Sequence, residues 1–106
     1  MNLNKLYDLI EELDITVDNF HMERAAALSV LCDGDGYIAI DDRKVKSSIE
    51  EKTILAHEAG HCATGAFYNR YSKFDVIAKH EYRADKWAAN QLIPFEDLVD
   101  FLKRGA

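Results

Sequence analysis

Apolar residues recur every three or four positions at the start of the chain, with acidic residues between them. Leu3, Leu6, Ile10 and Leu13 share one stripe, which predicts an amphipathic helix over residues 3–13. We expect this helix to pack against a sheet.

Two apolar runs, Ala27 to Cys32 and Tyr37 to Ile40, come next and are separated by Asp33-Gly34-Asp35-Gly36. Short runs of this composition flanking a glycine-rich turn predict a β-hairpin. Ile15 to Val17 form a further short β-branched run. Residues 18–26 are compatible with extended chain or with one helical turn.

The second half of the chain reads as helical. Ser47 followed by Glu50 is a capping box, which predicts a helix that begins there and runs to about Phe67. A second helix is expected from about Ile77 to Leu92. Pro94 suits the first position of a last helix, Pro94 to Lys103.

These elements predict an α+β fold. An N-terminal helix and a small antiparallel sheet would pack on a pair of helices, with a short C-terminal helix added. With 106 residues and no linker, the chain is expected to be one domain, with a helix and hairpin half in residues 1–45 and a helical half in residues 46–106.

Composition narrows the function. With 48% hydrophobic and 30% charged residues the chain resembles a soluble globular protein, and a net charge of −6 argues against direct nucleic-acid binding. The absence of a signal peptide or a long apolar segment predicts a cytoplasmic protein without membrane contact. Two cysteines are too few for a disulfide framework, and Cys62 is expected to be a buried, inert thiol. The oligomeric state is not predictable.

The segment His57-Glu58-Ala59-Gly60-His61 carries the strongest chemical signal. Two imidazoles four residues apart share one face of a helix and can bind one zinc ion. Glu58 lies about 100° round the helix and can reach a water molecule at the metal. His57 and His61 are thus predicted ligands, and Glu58 is the predicted catalytic base.

Glu81 and Asp85 are also four residues apart, on the second predicted helix. The nineteen residues between His61 and Glu81 allow the chain to turn and cross the first helix, so we predict Glu81 as the third zinc ligand. A zinc-bound histidine usually donates its other N–H to a carboxylate or carbonyl. We expect Asp85 to accept that hydrogen bond, from His57.

H-E-x-x-H followed by E-x-x-A-D, and then by a helix running into Leu92-Ile93-Pro94, resembles the ImmA/IrrE family of zinc metallopeptidases. The resemblance is specific over residues 45–95 and looser before them. It implies zinc bound by His57, His61 and Glu81 on a zincin-like pair of active-site helices, with Glu58 as base and Asp85 beside the ligands. It further implies an anti-repressor of a phage or mobile element that cleaves a helix-turn-helix repressor.

The expected activity is therefore that of a zinc-dependent endopeptidase, because two histidines and one carboxylate leave a coordination position open. One alternative is a non-catalytic, zinc-stabilised module that binds and sequesters a transcriptional regulator. Another is a small metal-free scaffold. Activity that depends on Glu58 distinguishes the enzyme from the binding module.

Two details of the catalytic site stay open at this level. Tyr68, Tyr71, His80 and Arg83 are all near enough in sequence to donate to an oxyanion, and no spacing selects among them. The strand Tyr37 to Ile40 is a candidate edge for docking an extended substrate as an added strand.

Overall fold

The computed structural model of the chain describes residues 1–67, 72–92 and 103. The α+β class is confirmed: helices cover one face of a small mixed sheet. In chain order the elements are α1 (Leu3–Glu12), β1 (Thr16–Asn19), β2 (Ala27–Cys32), β3 (Asp35–Ile40), a 3₁₀ turn (Asp42–Lys44), α2 (Ser48–Thr64) and α3 (Phe74–Leu92).

The predicted hairpin is present, since β2 and β3 pair antiparallel. The expectation that the whole sheet is antiparallel is wrong, because β1 pairs with β3 in parallel. The strand order is β1-β3-β2. After β1, residues 20–26 lead to the opposite edge of the sheet, where β2 lies. The hairpin then places β3 between β2 and β1, parallel to β1.

The turn of the hairpin is shorter than the glycine-rich segment predicts. Asp33 and Gly34 have φ of 52° and 86°, as a two-residue type I′ turn requires, and β3 begins at Asp35. Gly36 therefore belongs to the strand. It is buried there, and a Cβ atom at this position would lie 3.0 Å from the Cys62 sulfur atom.

The two long helices differ from prediction at their ends. The Ser47 side chain caps α2 by accepting from the Glu50 amide at 3.1 Å, as the capping box predicts. The helix stops at Gly65, which has a left-handed φ of 68°, rather than at Phe67. Helix α3 begins at Phe74, three residues earlier than expected. The predicted last helix, residues 94–103, lies outside the described residues apart from Lys103.

One apolar core joins the layers. It is formed by α1, the inner face of the sheet, α2 and α3, and its largest buried apolar side chains are Leu6, Ile10, Ile38 and Leu55. The first helix packs mainly on α2 rather than on the sheet. None of the helices in the described part of the chain is long and apolar enough to cross a bilayer.

Asp41 is fully buried just after β3 and ties down the segment that leads into β2. Its carboxylate accepts from the Met22 amide at 2.9 Å and from the Arg43 guanidinium at 2.8 and 3.0 Å. The hydrogen bonds from Arg43 hold the pKa of Asp41 well below its ordinary value of 3.8. These hydrogen bonds therefore hold Arg43 and the segment around Met22 next to the end of β3.

Because the pKa of Asp41 is lower in the folded chain than in the unfolded chain, its stabilising effect is complete above about pH 4 and is lost as the pH falls below 3.8 toward the folded-state pKa. Asp41→Asn should lower the Tm at pH 7 by on the order of 10 °C and flatten the acid limb of the stability curve. Thermal denaturation monitored by circular dichroism between pH 2 and 7 measures both effects. Asp42→Asn, at the exposed neighbour, is the control, and equal behaviour of the two variants would contradict this role.

Candidate metal centre

The site is formed where α3 crosses α2 at very short range. A Cβ atom added to Gly60 would lie 2.5 Å from the Ala84 carbonyl oxygen and 3.0 Å from its Cα. Ala84 is itself fully buried. The backbones of the two helices are therefore in direct contact at this crossing.

This crossing brings together the three residues predicted as zinc ligands. Glu81 Oε2 lies 2.9 Å from His57 Nε2, and Glu81 Oε1 lies 3.1 Å from His61 Nε2. The two imidazole rings are nearly perpendicular, with centroids 4.9 Å apart. One atom from each residue can be chosen so that all three lie within 4.8 Å of one another. His61 is almost completely buried, while His57 and Glu81 are partly exposed.

Both rings are oriented by a second contact. His57 Nδ1 lies 2.7 Å from Asp85 Oδ1, and His61 Nδ1 lies 2.6 Å from the Ala66 carbonyl oxygen. A carbonyl oxygen and an ionised carboxylate only accept hydrogen bonds, so each Nδ1 donates. In a neutral ring the proton is then on Nδ1, and Nε2 presents a lone pair.

Two Nε2 lone pairs thus face a carboxylate that also presents lone pairs. That arrangement is repulsive unless positive charge lies between the three groups, either as protons on the rings or as a metal cation. Tetrahedral zinc holds neighbouring nitrogen and oxygen ligands roughly 3.3 Å apart, a few tenths of an ångström beyond the distances seen here. The residues present therefore fit a zinc ion with little rearrangement.

Glu58, the predicted base, lies on the sheet side of the histidines. Its Oε2 accepts a 2.6 Å hydrogen bond from Ser29 Oγ on β2. Glu58, His57, His61 and Glu81 line one cavity of about 230 Å³ together with Ser29. The predicted base and the predicted ligands are thus open to the same space.

A larger cavity of about 590 Å³ adjoins this space. His57, Glu58 and Asp85 contribute to its wall. The rest is mainly apolar and comes from Ala26, Ala27, Ile54, Ala88, Ala89 and Leu92, with Thr53. The candidate metal centre therefore borders a pocket that is lined mainly by apolar side chains.

The expectation that β3 offers a free edge is wrong. β3 is paired on both sides, by β1 and by β2. Among the described residues, the edge strand next to Glu58 is β2, because β2 is the outer strand of the hairpin and β3 is the central strand of the sheet. Any strand added beside the site would have to pair with β2.

Cys62 does not join the metal centre. Its half-buried thiol packs against Gly36, on the core side of α2. Burial, assisted by the negative charge of Glu58, raises the pKa of Cys62 to about 11. A thiol with this pKa is protonated near neutral pH, in keeping with the inert role predicted for it.

Of the remaining polar residues singled out from the sequence, the structure describes His80 and Arg83, and neither belongs to the candidate metal centre. Arg83 is exposed and lines a different cavity, with Lys79 and Lys86, and no metal-binding group in the described residues includes His80. Tyr68 and Tyr71 lie outside the described residues.

A second cluster of possible ligands, His21, Asp41 and Asp42, is a poor metal site. Arg43 already binds both oxygens of Asp41 and supplies the positive charge there. His21 and Asp42 are largely exposed, and their closest nitrogen and oxygen atoms are 3.7 Å apart. His21 is therefore not a candidate metal ligand.

Sequence reasoning missed two participants. One is the Ala66 carbonyl, which carries no sequence signal because any residue supplies one. The other is Ser29, the one polar side chain in the strand Ala27–Cys32. Its side chain shares the helix-facing side of β2 with Ala27, and a hydroxyl on that side needs a partner, which is a signal the sequence does contain.

No protein-family model and no curated protein matches this chain. The geometry of the residues described above is consequently the basis for assigning a function.

Gly60→Ala tests the helix crossing. Alanine normally stabilises a helix relative to glycine by about 1 kcal/mol, but here its Cβ meets backbone atoms that cannot rotate away. We expect net destabilisation of about 1–3 kcal/mol and weaker zinc binding, because a displaced α3 carries Glu81 with it. Urea denaturation and zinc titration measure the two effects.

The control is Ala63→Gly, at an exposed position of the same helix, which should cost about 1 kcal/mol without weakening zinc binding. A Gly60→Ala protein as stable as the parent, with the same zinc affinity, would show that the close crossing does not exist in solution.

Proposed function

We propose that this chain is a zinc-dependent endopeptidase with His57, His61 and Glu81 as zinc ligands and Glu58 as the general base. The observation that carries the proposal is the convergence of two imidazole Nε2 atoms on the two oxygens of Glu81, at 2.9 and 3.1 Å. Asp85 and the Ala66 carbonyl support it, since each occupies the Nδ1 atom of one histidine and leaves Nε2 for a metal.

A zinc ion with three protein ligands polarises a carbonyl group and lowers the pKa of a water molecule toward about 7. Glu58 is suited to take a proton from that water and to deliver it to the departing amine, because its carboxylate borders the cavity that the three ligands line. Ser29 binds Oε2, so Oε1 is the oxygen that would carry the proton. The reaction is hydrolysis of a peptide bond.

An extended substrate segment would dock on β2. The Asp41 amide donates to the Ala26 carbonyl at 2.8 Å, so Ala26 and Asp41 form a hydrogen-bonded pair. The next pair in the ladder, Ala27 and Ile40, is therefore a non-hydrogen-bonded pair. Hydrogen-bonded and non-bonded pairs alternate in an antiparallel ladder, so the amides and carbonyls of Ala27, Ser29 and Leu31 point outward. A docked strand would pair with these groups and pass beside Glu58.

The adjoining cavity of about 590 Å³ indicates the preferred side chain. Ile54, Ala88 and Leu92 give it an apolar wall, and its size suits leucine, phenylalanine or methionine. We therefore expect cleavage next to a large apolar residue.

The partner is proposed from the resemblance to the ImmA/IrrE family. On that basis the substrate is a helix-turn-helix repressor of a phage or mobile element, and cleavage would relieve repression in the cytoplasm. The net charge of −6 is compatible with action on the repressor protein rather than on its DNA. Co-expression with a helix-turn-helix repressor encoded in the same genetic neighbourhood, with and without a zinc chelator, tests for metal-dependent fragmentation of that repressor.

Zinc binding is the first quantity to measure. Elemental analysis of the purified chain should give about one zinc per molecule. His57→Ala, His61→Ala and Glu81→Gln should each weaken binding at least about 100-fold in a competitive chelator titration, since each removes a ligand. His21→Ala is the control and should bind like the parent. Full occupancy in all three ligand variants would refute the assigned centre.

Glu58→Gln separates an enzyme from a zinc-stabilised binding module. The substitution should leave zinc stoichiometry unchanged and reduce cleavage about 100- to 10,000-fold, because glutamine cannot accept the proton. Glu12→Gln, on the exposed face of α1, is the control. Anti-repressor activity in cells that survives Glu58→Gln would favour sequestration of the regulator over its cleavage.

A further inference from the structure

Ser29 is the strand residue that contacts the proposed base. Its hydroxyl donates to Glu58 Oε2 at 2.6 Å, a distance typical of a strong hydrogen bond to an ionised carboxylate. The two residues are 29 positions apart and come from different elements, β2 and α2. Both side chains are half-buried, so the bond is partly shielded from water.

The backbone of Ser29 lies at the edge of the sheet where a substrate strand would dock. Ser29 is paired with Ile38 in the ladder, and its amide and carbonyl point to the outer edge of β2. The residue therefore faces a docked strand with its backbone and Glu58 with its side chain. Leu28 and Val30, its neighbours on β2, point to the exposed side of the sheet and cannot do this.

We propose that Ser29 is a positioning residue, which holds the Glu58 carboxylate so that Oε1 is directed at the reacting water while β2 holds the substrate. The inference rests on the proposed endopeptidase function. A glutamate side chain has three rotatable bonds, and one fixed oxygen restricts them before the substrate arrives. No other described residue is hydrogen-bonded to this carboxylate.

The first test needs no substrate. In protein labelled with ¹³C at the glutamate carboxyl carbons, Glu58→Gln identifies the Glu58 resonance. Ser29→Ala should shift that resonance, whereas Ser29→Thr, which keeps the hydroxyl, should leave it close to the parent value. Ser48→Ala, at an exposed serine, is the matched control. An unshifted Glu58 resonance in Ser29→Ala would overturn the inference.

The second test is kinetic and uses a peptide that the zinc-loaded parent cleaves, selected from a proteome-derived peptide library. Ser29→Ala should lower kcat on the order of 10-fold with KM within about twofold of the parent. Ser29→Thr should restore most of kcat. A raised KM with unchanged kcat, or a threonine variant as slow as the alanine variant, would overturn the positioning role.

The two tests distinguish failure of this inference from failure of the function itself. If the parent cleaves and Ser29→Ala cleaves equally well, the role of Ser29 is wrong and the endopeptidase stands. If the zinc-loaded parent cleaves no peptide in the library and no repressor on co-expression, the proposed function is wrong. The Ser29–Glu58 hydrogen bond that the carboxyl resonance reports would then have no catalytic role.

Discussion

The crossing of α2 and α3 at Gly60 and Ala84 is the constraint on which the rest of the site depends. A glutamate can reach two histidines of a neighbouring helix only if the helix axes lie close together, and here no side chain separates the two backbones. Glu81 is three residues before Ala84, so its carboxylate is placed by the same contact. Leu55, Ala56 and Ala59 of α2 belong to the same buried core as Ile38 and Ile40 of β3, and this core holds α2 against the sheet.

The electrostatic interactions among His57, His61 and Glu81 favour a bound cation. Asp85 and the Ala66 carbonyl each accept a hydrogen bond from the Nδ1–H of one imidazole, which leaves the two Nε2 atoms directed at the Glu81 carboxylate. Such a set is costly without a cation and favourable with one, because a divalent ion interacts with all three groups at once. A neutral, buried histidine with a purely structural role would be expected to have an acceptor beside its N–H and a donor beside its other ring nitrogen. His61, which is almost wholly buried, has an acceptor on each ring nitrogen.

Features that depend on residues close together in the chain could be predicted from the sequence. The i, i+4 spacing of the histidines, the Ser47 cap of α2 and the strand Ala27–Cys32 all follow from short-range rules. The pairing of the strands, which joins distant parts of the chain, could not be predicted. Nothing local decides whether β1 pairs with β2 or with β3, and its pairing with β3 is what makes β3 the central strand. The end of α2 was missed for a different reason: Gly65 provides a left-handed stop, but a helical pattern through Phe67 competes with it.

The order of the strands has a direct consequence for the chemistry. Had β3 been the free edge, Ser29 would have belonged to a central strand and its backbone would have been fully paired. With the order β1-β3-β2, the strand that contacts Glu58 is an edge strand of the described sheet, and one row of its backbone groups points outward. Under the proposed function, substrate binding and orientation of the base would both involve Ser29. The mixed topology that local sequence patterns do not reveal is therefore what connects the sheet to the proposed hydrolysis.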